Sequence, residues 1–554
     1  MQRAVVVFLV ALAGCTDAAT GDAGVLLDGD MAIAGSDAAM PDDASAADDG
    51  AVNSDVPSVW QNQVIYLAIP DRFFDGDATN NQSGTPGCYV PSDPKSYHGG
   101  DLAGLRQKLP YLAELGVTAI WVTPLYLQSA DRCGYHGYWA DFTDPDDGAI
   151  EPELGSAADF TGFIDDAHAL GVKVVLDMVV NHAGRTARVV TQHADWFHDP
   201  ATCAALGDPA VYCSIGTKPL PDFAQEKPAV AAYLNAVSVG WLDRFAIDGI
   251  RMDTVKNVPV DYWKSSWLPA VKAVRAPLFI VGEVFDTGAA TDLEPYLAAG
   301  FDSLFNYPLR PTLLDAFASG NSVDAVASKL AEEIAKLGYP TTRMLTTFLD
   351  NHDNPRFISS VPAGLTEDEI RRRWHLGLGA LFTLPGIPEL FYGDELGLYG
   401  GADPDNRRDM PAWAWSSVDR GGTYVGQALP NPQSTFAQVQ KLIAIRRTNA
   451  ALSAGGYAEL WRQNGGAANV LAFFRSSGAN RLVVAINNGA ADSGAMSLPL
   501  RTNPGVGAAD RAALPDGTVL TELLGAGAPS TVTLAGGAVK IDLPPKTIGI
   551  YVAP

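Results

Sequence analysis

The sequence predicts an α/β protein: a (β/α)8 TIM barrel with a short insertion after the third strand, followed by a C-terminal antiparallel β-sandwich. Eight short apolar segments between residues 64 and 395 are separated by segments of helical periodicity, an alternation that favours a parallel sheet. The third segment, VKVVLDMVV (172–180), is an uninterrupted apolar run, as in strands that are buried on both faces. From residue 455 onward, alternating strands are separated by Gly, Pro and Asn turns, which is typical of a sandwich.

The predicted strands follow one another at regular intervals and span residues 64–70, 118–124, 172–180, 247–253, 278–284, 303–308, 344–349 and 388–395. Helical segments lie between them, and the clearest span residues 101–116, 157–171, 229–245, 367–384 and 434–452. The longest insertion, residues 183–225, follows the third strand. We therefore expect the barrel over residues 58–454 and the sandwich over residues 455–554. Catalytic groups in such barrels gather at the C-terminal ends of the strands.

The N-terminus, MQRAVVVFLVALAGC (1–15), predicts an export signal. Its apolar run is shorter than the roughly 20 residues that a permanent membrane-spanning helix needs. Small residues precede Cys15, as in the bacterial lipoprotein cleavage motif, so we expect Cys15 to be lipidated; an ordinary signal peptide with a chance cysteine is the alternative. Residues 16–57 are acidic and lack aromatic residues, which predicts a disordered tether. We expect an exported protein that is lipid-anchored to a bacterial cell membrane, or secreted.

Charge and cysteine content narrow the partners and the compartment. The net charge of −25 repels phosphate backbones, so nucleic acid is not an expected partner. Export implies an oxidising compartment, in which the four remaining cysteines can pair in three ways. Cys203 with Cys213 is the most local pairing and leaves Cys88 with Cys133; four free buried thiols are the alternative. We expect a monomer.

Polar side chains are concentrated where several predicted strands end. The third strand runs into Asp177 and NH (181–182), the fourth carries Arg251 and Asp253, the fifth Glu283, and the seventh runs into DNHD (350–353). A single carboxylate at such a position is usually a capping or ion-paired loop residue. Several together on neighbouring strands repel one another, which is costly unless the chemistry needs them or a cation offsets them. The sequence therefore predicts an active site at this end of the barrel.

These segments resemble the signature regions of the alpha-amylase family, glycoside hydrolase family 13. The matching segments are DMVVNH (177–182), LPDF (220–223), GIRMDTVKN (249–257), GEVF (282–285) and FLDNHD (348–353). The order and strand context of the set agree with the family, which has the predicted barrel fold. Within the family, the chain is most similar to the calcium-containing alpha-amylases of the fungal and animal type.

The resemblance implies three catalytic carboxyl groups. A retaining glycosidase needs a nucleophile and a general acid/base roughly 5 to 5.5 Å apart. By resemblance, Asp253 is the nucleophile, Glu283 is the acid/base with a raised pKa, and Asp353 binds sugar hydroxyls and supports the oxocarbenium-like transition state. Arg251 lies two residues before Asp253 along a strand and therefore points to the same face, where it aligns that carboxylate.

The resemblance also implies residues that contact the sugar. His182 and His352 bond to its hydroxyls, and Tyr138 stacks on its ring; for Tyr138 and Trp139 core packing is the alternative. The full set of expected substrate-binding residues is Tyr138, Trp139, His136, His182, Arg251, Lys256, His352, Asp403 and Arg407.

A calcium ion is the expected cofactor. Calcium takes oxygen ligands and often mixes carboxylates with carbonyls. By resemblance, its ligands are the side chains of Asn181 and Asp222 and the backbone carbonyls of Asn257 and Val211. Such an ion would attach the insertion to the barrel, which is a structural role. No histidine or cysteine spacing in the sequence indicates zinc.

The expected reaction is retaining endo-hydrolysis of α-1,4-glucosidic bonds in starch-like α-glucans and maltooligosaccharides. An α-glucan transglycosylase or a cyclomaltodextrin-type hydrolase of the same family is the first alternative. The segment LPDF (220–223) lacks the lysine of one version of that region, which argues against the cyclomaltodextrin-type hydrolase. A non-catalytic surface glycan-binding protein is the second alternative, and the intact Asp253, Glu283 and Asp353 argue against it.

Overall fold

The computed structural model describes residues 59–141, 149–213, 219–465 and 468–554. The predicted signal (1–15), with its expected lipidation at Cys15, and the predicted tether (16–57) lie outside these residues. Within the described ranges, none of the helices has both the length and the apolar character that a membrane crossing requires.

Eight parallel strands form the barrel. Seven lie within their predicted segments, and the eighth begins one residue before its segment, at Ile387. The strands are β1 (Ile65–Ala68), β2 (Ala119–Val122), β3 (Lys173–Met178), β4 (Gly249–Met252), β5 (Phe279–Gly282), β6 (Ser303–Leu304), β7 (Thr346–Thr347) and β8 (Ile387–Phe391). The strand order is β6-β5-β4-β3-β2-β1-β8-β7, and a parallel bridge between Phe305 and Thr346 joins the two ends of the series. The predicted (β/α)8 barrel is therefore confirmed.

Helices surround the strands. The α-helices of the barrel and its insertion are Pro70–Phe73, Leu102–Gln107, Leu109–Leu115, Ala157–Ala169, Arg188–Gln192, Pro209–Tyr212, Pro228–Arg244, Val260–Tyr262, Leu268–Val274, Glu294–Ala299, Arg310–Leu313, Asp324–Leu337, Tyr339–Thr342, Glu367–Thr383, Pro432–Thr448 and Ala450–Ser453. The segment predicted as one helix over 101–116 is divided at Lys108, and Pro110 lies in the first turn of its second part. Proline has no backbone N–H to donate, so it is accommodated at the start of a helix and not in its interior.

A short antiparallel bridge between His182 and Asp222 joins the insertion to the chain that follows β3. A second bridge, between Phe197 and Phe223, lies within the insertion. A disulfide between Cys203 and Cys213, with an S–S distance of 1.98 Å, closes a loop of the insertion. A second disulfide joins Cys88 to Cys133 at 2.05 Å. Of the three possible pairings, the structure therefore has the one in which Cys203 pairs with Cys213 and Cys88 with Cys133.

The C-terminal domain is an antiparallel β-structure. Its strands are β11 (Gly456–Gly465), β12 (Ala468–Ser477), β13 (Asn480–Asn487), β14 (Met496–Pro499), β15 (Val519–Glu522), β16 (Thr531–Ala535), β17 (Ala538–Ile541) and β18 (Thr547–Val552), joined in the order β11-β12-β13-β18-β15-β16-β17-β14. One α-helix, Ala508–Ala513, belongs to this domain, and a small hairpin, β9 (Thr423–Tyr424) with β10 (Gln427–Ala428), precedes it.

Strand alternation explains how this domain attaches to the barrel. Along β13, Val483 and Ala485 belong to the core of the C-terminal domain, whereas Leu482, Val484 and Ile486 belong to the core shared with the barrel. Successive side chains of a strand point to opposite faces, so one strand contributes to both cores. The domain therefore has one face buried against the barrel and one face buried in its own interior.

Candidate active site

The C-terminal ends of β3, β4 and β5 carry an ion-pair network centred on Arg251. Its Nη1 lies 2.7 Å from Asp253 Oδ1 and 3.1 Å from Asp177 Oδ1, and its Nη2 lies 3.0 Å from Glu283 Oε1. The parallel register places Asp177 of β3 beside Arg251 of β4. All four residues are buried, with Arg251 only 1% exposed. One guanidinium thus contacts three carboxyl groups from adjacent strands.

Glu283 is held from three sides. The backbone N–H of Thr254 donates to its Oε2 at 2.9 Å, the hydroxyl of Tyr307 donates to its Oε1 at 3.3 Å, and Arg251 completes the set. Burial raises the pKa of Glu283 to about 8; Arg251 opposes this shift, and Asp253 adds to it. A carboxyl group with this pKa keeps its proton at neutral pH, which suits a general acid.

Asp177 links the network to the aromatic side chains of the site. Trp121 Nε1 donates to its Oδ2 at 3.0 Å, and the Tyr138 hydroxyl donates to the same oxygen at 2.7 Å. The Tyr138 oxygen also lies 2.7 Å from His352 Nε2. When Asp177 is ionised it only accepts hydrogen bonds, so the proton between Tyr138 and His352 belongs to His352 Nε2. Burial lowers the pKa of His352 to about 3, and the ring is therefore neutral.

A cavity of about 300 Å³ opens at this end of the barrel. Its lining consists of His136, Tyr138, Trp139, Asn181, His182, Leu220, Asp253, Thr254, Asp353, Asp403 and Arg407. Most of the residues predicted to bind substrate therefore lie together. Glu283, Arg251 and His352 are not among the lining residues and are almost fully buried next to it. Lys256 is not among them either: its ammonium pairs with Asp286 Oδ2 at 2.7 Å, so its contact with substrate stays a prediction.

Arg407 organises the opposite side of the cavity. Its Nη2 donates to Asp353 Oδ1 at 3.0 Å, its Nη1 lies 3.2 Å from Asp403 Oδ1, and its Nε donates to the carbonyl of His352 at 2.8 Å. Asp353 also lies 3.2 Å from His352 Nε2. Arg407 thus fixes the carboxylates of Asp353 and Asp403 relative to each other. Their oxygen atoms remain able to accept hydrogen bonds from hydroxyl groups.

The aromatic residues form a neutral wall. Tyr138 stacks on His352 with ring centroids 5.3 Å apart, and the rings of His136 and Trp139 meet edge to face at 4.4 Å. Burial lowers the pKa of His136 well below its usual value, so this ring is also neutral. Gly137 has a φ of 90°, and a Cβ there would lie 2.1 Å from the carbonyl oxygen of Pro124, so only glycine fits before Tyr138.

A neighbouring cavity of about 460 Å³ shares lining residues with the first. The shared residues are His136, Trp139, Asp403 and Arg407. The site is therefore part of an extended cleft, which suits a chain-like ligand better than a single small molecule.

The expected calcium ligands converge next to the cavity. The terminal amide of Asn181 lies 2.7 Å from the carbonyl oxygen of Asn257 and 3.3 Å from Asp222 Oδ1. With the amide oxygen in that position, three oxygens face one another, as around a hard cation; with the nitrogen there, the amide donates to both partners. The donor types fit calcium. No group of three or more His, Cys, Asp or Glu side chains in the described ranges could hold a metal ion, and the expected set contains only one carboxylate.

The fourth expected calcium ligand is less well defined. Val211 lies in the short helix Pro209–Tyr212, and the preceding residue, Ala210, accepts a hydrogen bond through its carbonyl from Asn257 Nδ2 at 2.7 Å. The insertion thus reaches the expected site through this helix. Ligation by the carbonyl of Val211 stays a prediction.

Three residues of the site escaped the sequence analysis. Thr254 contacts both Asp253 and Glu283, Tyr307 donates to Glu283, and Trp121 donates to Asp177. Thr254 directly follows Asp253 in the sequence, and this adjacency is the one signal that points to it. Tyr307 and Trp121 lie in segments predicted as strands, where an aromatic residue by itself indicates core packing.

The raised pKa of Glu283 predicts a pH-dependent difference in stability between the wild type and Glu283→Gln. The folded pKa of about 8 exceeds the usual value of 4.5, so the folded state holds this proton over a pH range in which the unfolded state has lost it. The wild type therefore loses stability as the pH rises from about 5 to about 8, and the neutral glutamine variant does not lose this contribution. We expect the difference in thermal midpoint, variant minus wild type, to increase between pH 5 and pH 9. The exposed Glu294→Gln serves as the control, and a difference that is constant with pH would contradict the prediction.

A model of the alpha-amylase catalytic domain matches residues 65–455 of the chain. Among curated relatives, neopullulanase 2 of Thermoactinomyces vulgaris is 31% identical over 453 residues, covering 78% of this chain and 70% of that protein. A cyclomaltodextrin glucanotransferase of Niallia circulans is 28% identical over 476 residues, covering 79% of this chain and 60% of the relative. The chain thus spans about 60 to 70% of the length of these relatives.

Solved structures show the same relationship over a larger share of the chain. The alpha-amylase of Anoxybacillus superposes with a TM-score of 0.73 at 31% identity, covering 89% of this chain and 98% of that one. The alpha-amylase of Geobacillus thermoleovorans, solved with acarbose, has a TM-score of 0.73 at 29% identity, covering 89% and 99%. The similarity to fungal and animal alpha-amylases stays a prediction. The family match, the barrel and these relatives show that the chain belongs to the alpha-amylase family, glycoside hydrolase family 13, and is a glycoside hydrolase.

Proposed function

We propose that this glycoside hydrolase cleaves internal α-1,4-glucosidic bonds of starch-like α-glucans and maltooligosaccharides with retention of configuration, and that water is the principal acceptor. One observation carries the proposal: Arg251 joins Asp253 and Glu283 through the two ends of a single guanidinium, at 2.7 and 3.0 Å. Both carboxyl groups are thereby brought to one place, as a retaining mechanism requires.

The reaction takes two steps in this geometry. Glu283 donates its proton to the glycosidic oxygen while Asp253 attacks the anomeric carbon; the bond to the leaving sugar breaks, and a glycosyl ester forms on Asp253. Glu283, now ionised, then takes a proton from water, whose oxygen attacks the anomeric carbon and releases Asp253. Asp353 accepts bonds from sugar hydroxyls, and Arg407 holds it in place for that role.

The length of the cleft supports cleavage within a chain. The two adjoining cavities, of about 300 and 460 Å³, share residues on the side of Trp139 and Arg407, so a ligand can extend from the first into the second. The ring of Tyr138, which lines the cavity and stacks on the buried His352, offers an apolar surface with a polar edge, which matches the faces and the hydroxyl rim of a sugar ring.

Transglycosylation is the second candidate, and Phe285 favours it. This side chain is 48% exposed, lies two residues after Glu283, and packs on Tyr307 with ring centroids 4.4 Å apart. Tyr307 in turn bonds to Glu283. An exposed aromatic ring beside the acid/base offers a surface on which an acceptor sugar can stack in place of water. The names of the relatives, a cyclomaltodextrin glucanotransferase and a neopullulanase, fit this candidate as well as they fit hydrolysis.

Release of reducing sugar from soluble starch tests the catalytic proposal. We expect Glu283→Gln to reduce the rate by about 100- to 10,000-fold, the usual contribution of general acid catalysis. The first step with α-maltosyl fluoride needs no acid assistance, so Glu283→Gln should still release fluoride in an initial burst, whereas Asp253→Asn should not. Equal, slow release by the wild type and Glu283→Gln would instead favour the glycan-binding alternative.

The products formed from maltotriose separate hydrolysis from transfer. We expect mainly maltose and glucose from the wild type, because water is the proposed acceptor. Phe285→Ala should lower any fraction of longer products, since it removes the exposed ring beside Glu283. Thin-layer or anion-exchange chromatography of a time course measures both fractions. A predominance of products longer than maltotriose would overturn the hydrolase proposal in favour of transglycosylation.

We also propose a structural calcium ion held by the side chains of Asn181 and Asp222 and the carbonyls of Asn257 and Val211. The convergence of three of these groups supports it. Such an ion supplies charge that joins the insertion to the barrel and takes no part in bond cleavage. At a free calcium concentration of about 100 times the Kd, removal of the ion lowers the free energy of unfolding by about 3 kcal/mol.

Chelation tests this site. We expect EGTA to lower the thermal midpoint of the wild type and added Ca²⁺ to restore it. Asp222→Asn should have a lower midpoint that responds much less to either treatment, because the single carboxylate of the set is lost. Asp243→Asn, on the exposed surface of the helix Pro228–Arg244, is the matched control. A midpoint of the wild type that does not change with EGTA would contradict the proposal.

A further inference from the structure

Thr254 has an unusual backbone conformation between the two central carboxyl groups. Its φ is 49° and its ψ is 37°, which is the left-handed region. β-branched residues rarely adopt this region, because Cβ approaches the following carbonyl oxygen. A strained residue of this kind is retained only when its surroundings impose the conformation, and such residues cluster at functional sites. Thr254 also lines the catalytic cavity.

Two consecutive backbone amides donate to Glu283 at this turn. The N–H of Thr254 donates to Glu283 Oε2 at 2.9 Å, and the N–H of Val255 donates to the backbone carbonyl of Glu283 at 2.9 Å. The N–H of Glu283 donates back to the carbonyl of Met252 at 2.9 Å. The ends of β4 and β5 are therefore joined by backbone bonds immediately after Asp253. In the extended or right-handed conformation of Thr254, the N–H of the next residue, Val255, would point in another direction.

The hydroxyl of Thr254 contacts the other carboxyl group. Its Oγ1 donates to Asp253 Oδ2 at 3.1 Å, while Arg251 Nη1 occupies Oδ1 at 2.7 Å. With a donor on each oxygen, the carboxylate of Asp253 cannot rotate freely about its last side-chain bond. Attack on an anomeric carbon requires reacting atoms held within about 3 to 3.5 Å in the correct orientation.

We propose that Thr254 is a positioning residue that sets the nucleophile and the acid/base relative to each other, through its hydroxyl on Asp253 and its backbone amide on Glu283. This inference rests on the proposed roles of those two carboxyl groups. Thr254 does not itself exchange a proton or form a bond to the sugar. Its contribution is to hold the two carboxyl groups in the geometry in which one attacks while the other protonates.

Three substitutions separate the hydroxyl from the shape of the side chain. Thr254→Val keeps the size and the branching but removes the donor. Thr254→Ser keeps the donor but removes the methyl group. Thr254→Gly removes the whole side chain and adopts the left-handed conformation without strain, so it keeps the backbone amide in place. Soluble starch and α-maltosyl fluoride are the two substrates, because only starch needs protonation of its leaving group.

We expect Thr254→Val and Thr254→Gly to lower kcat by about 10- to 100-fold on both substrates, the range for losing a hydrogen bond to a charged group. KM should change by less than about threefold, because ground-state contacts to the sugar remain. Thr254→Ser should recover most of the loss. A slower burst of fluoride release is the specific sign of a misplaced nucleophile, and a change in packing alone does not produce it.

The outcomes distinguish this inference from the proposed function. If Thr254→Val and Thr254→Gly keep the wild-type kcat on both substrates, the inference is wrong. It is equally wrong if Thr254→Ser is as slow as Thr254→Val, since the methyl group and not the hydroxyl would then matter. If the valine variant does not fold, the glycine and serine variants decide. Asp253→Asn is measured in parallel. If that variant keeps its activity, the proposed function itself is wrong. If Asp253→Asn loses its activity while Thr254→Val keeps the wild-type kcat, only the role of Thr254 is wrong.

Discussion

The ion-pair network around Arg251 is the constraint on which the arrangement of the site depends. Three carboxyl groups end neighbouring barrel strands, and the same buried guanidinium contacts all of them. Removing charges from water is costly, and a buried network of this kind is retained only when its geometry is well satisfied. The guanidinium is planar and always charged, so it imposes both a position and a common orientation on its partners. The strand ends cannot shift relative to one another without breaking it.

The rest of the barrel holds that network in register. Parallel pairing places Asp177 beside Arg251, and the N–H of Asp253 donates to the carbonyl of Met178 on the neighbouring strand at 2.9 Å. The C-terminal domain supports the barrel from elsewhere: the buried Arg475 donates to the carbonyls of Thr383 and Leu452, next to barrel helices. None of the described residues that line the catalytic cavity belongs to that domain. Its contribution is therefore structural support for the helices.

Family membership does not decide which acceptor the enzyme uses. The proposed glycosyl ester on Asp253 could be attacked by water or by a sugar hydroxyl, and the same pair of carboxyl groups would serve both reactions. The difference lies in loops at the end of the barrel, which vary while the scaffold is retained. In this chain the exposed ring of Phe285, which packs on Tyr307, lies in the loop that follows β5.

The sequence alone determined the fold class and the kinds of residue at the site. The alternation of short apolar segments with helical segments identified all eight strands. A parallel strand that is buried on both faces requires a continuous apolar run. The sequence also placed Arg251 and Asp253 on one face, because side chains two apart along a strand point the same way. Only the tertiary structure decided that Arg251 also contacts Asp177 and Glu283, and that Lys256 pairs with Asp286. It alone showed the left-handed turn at Thr254. These features depend on register between strands and on backbone dihedral angles, and residues distant in sequence set both, so no periodicity along the chain encodes them.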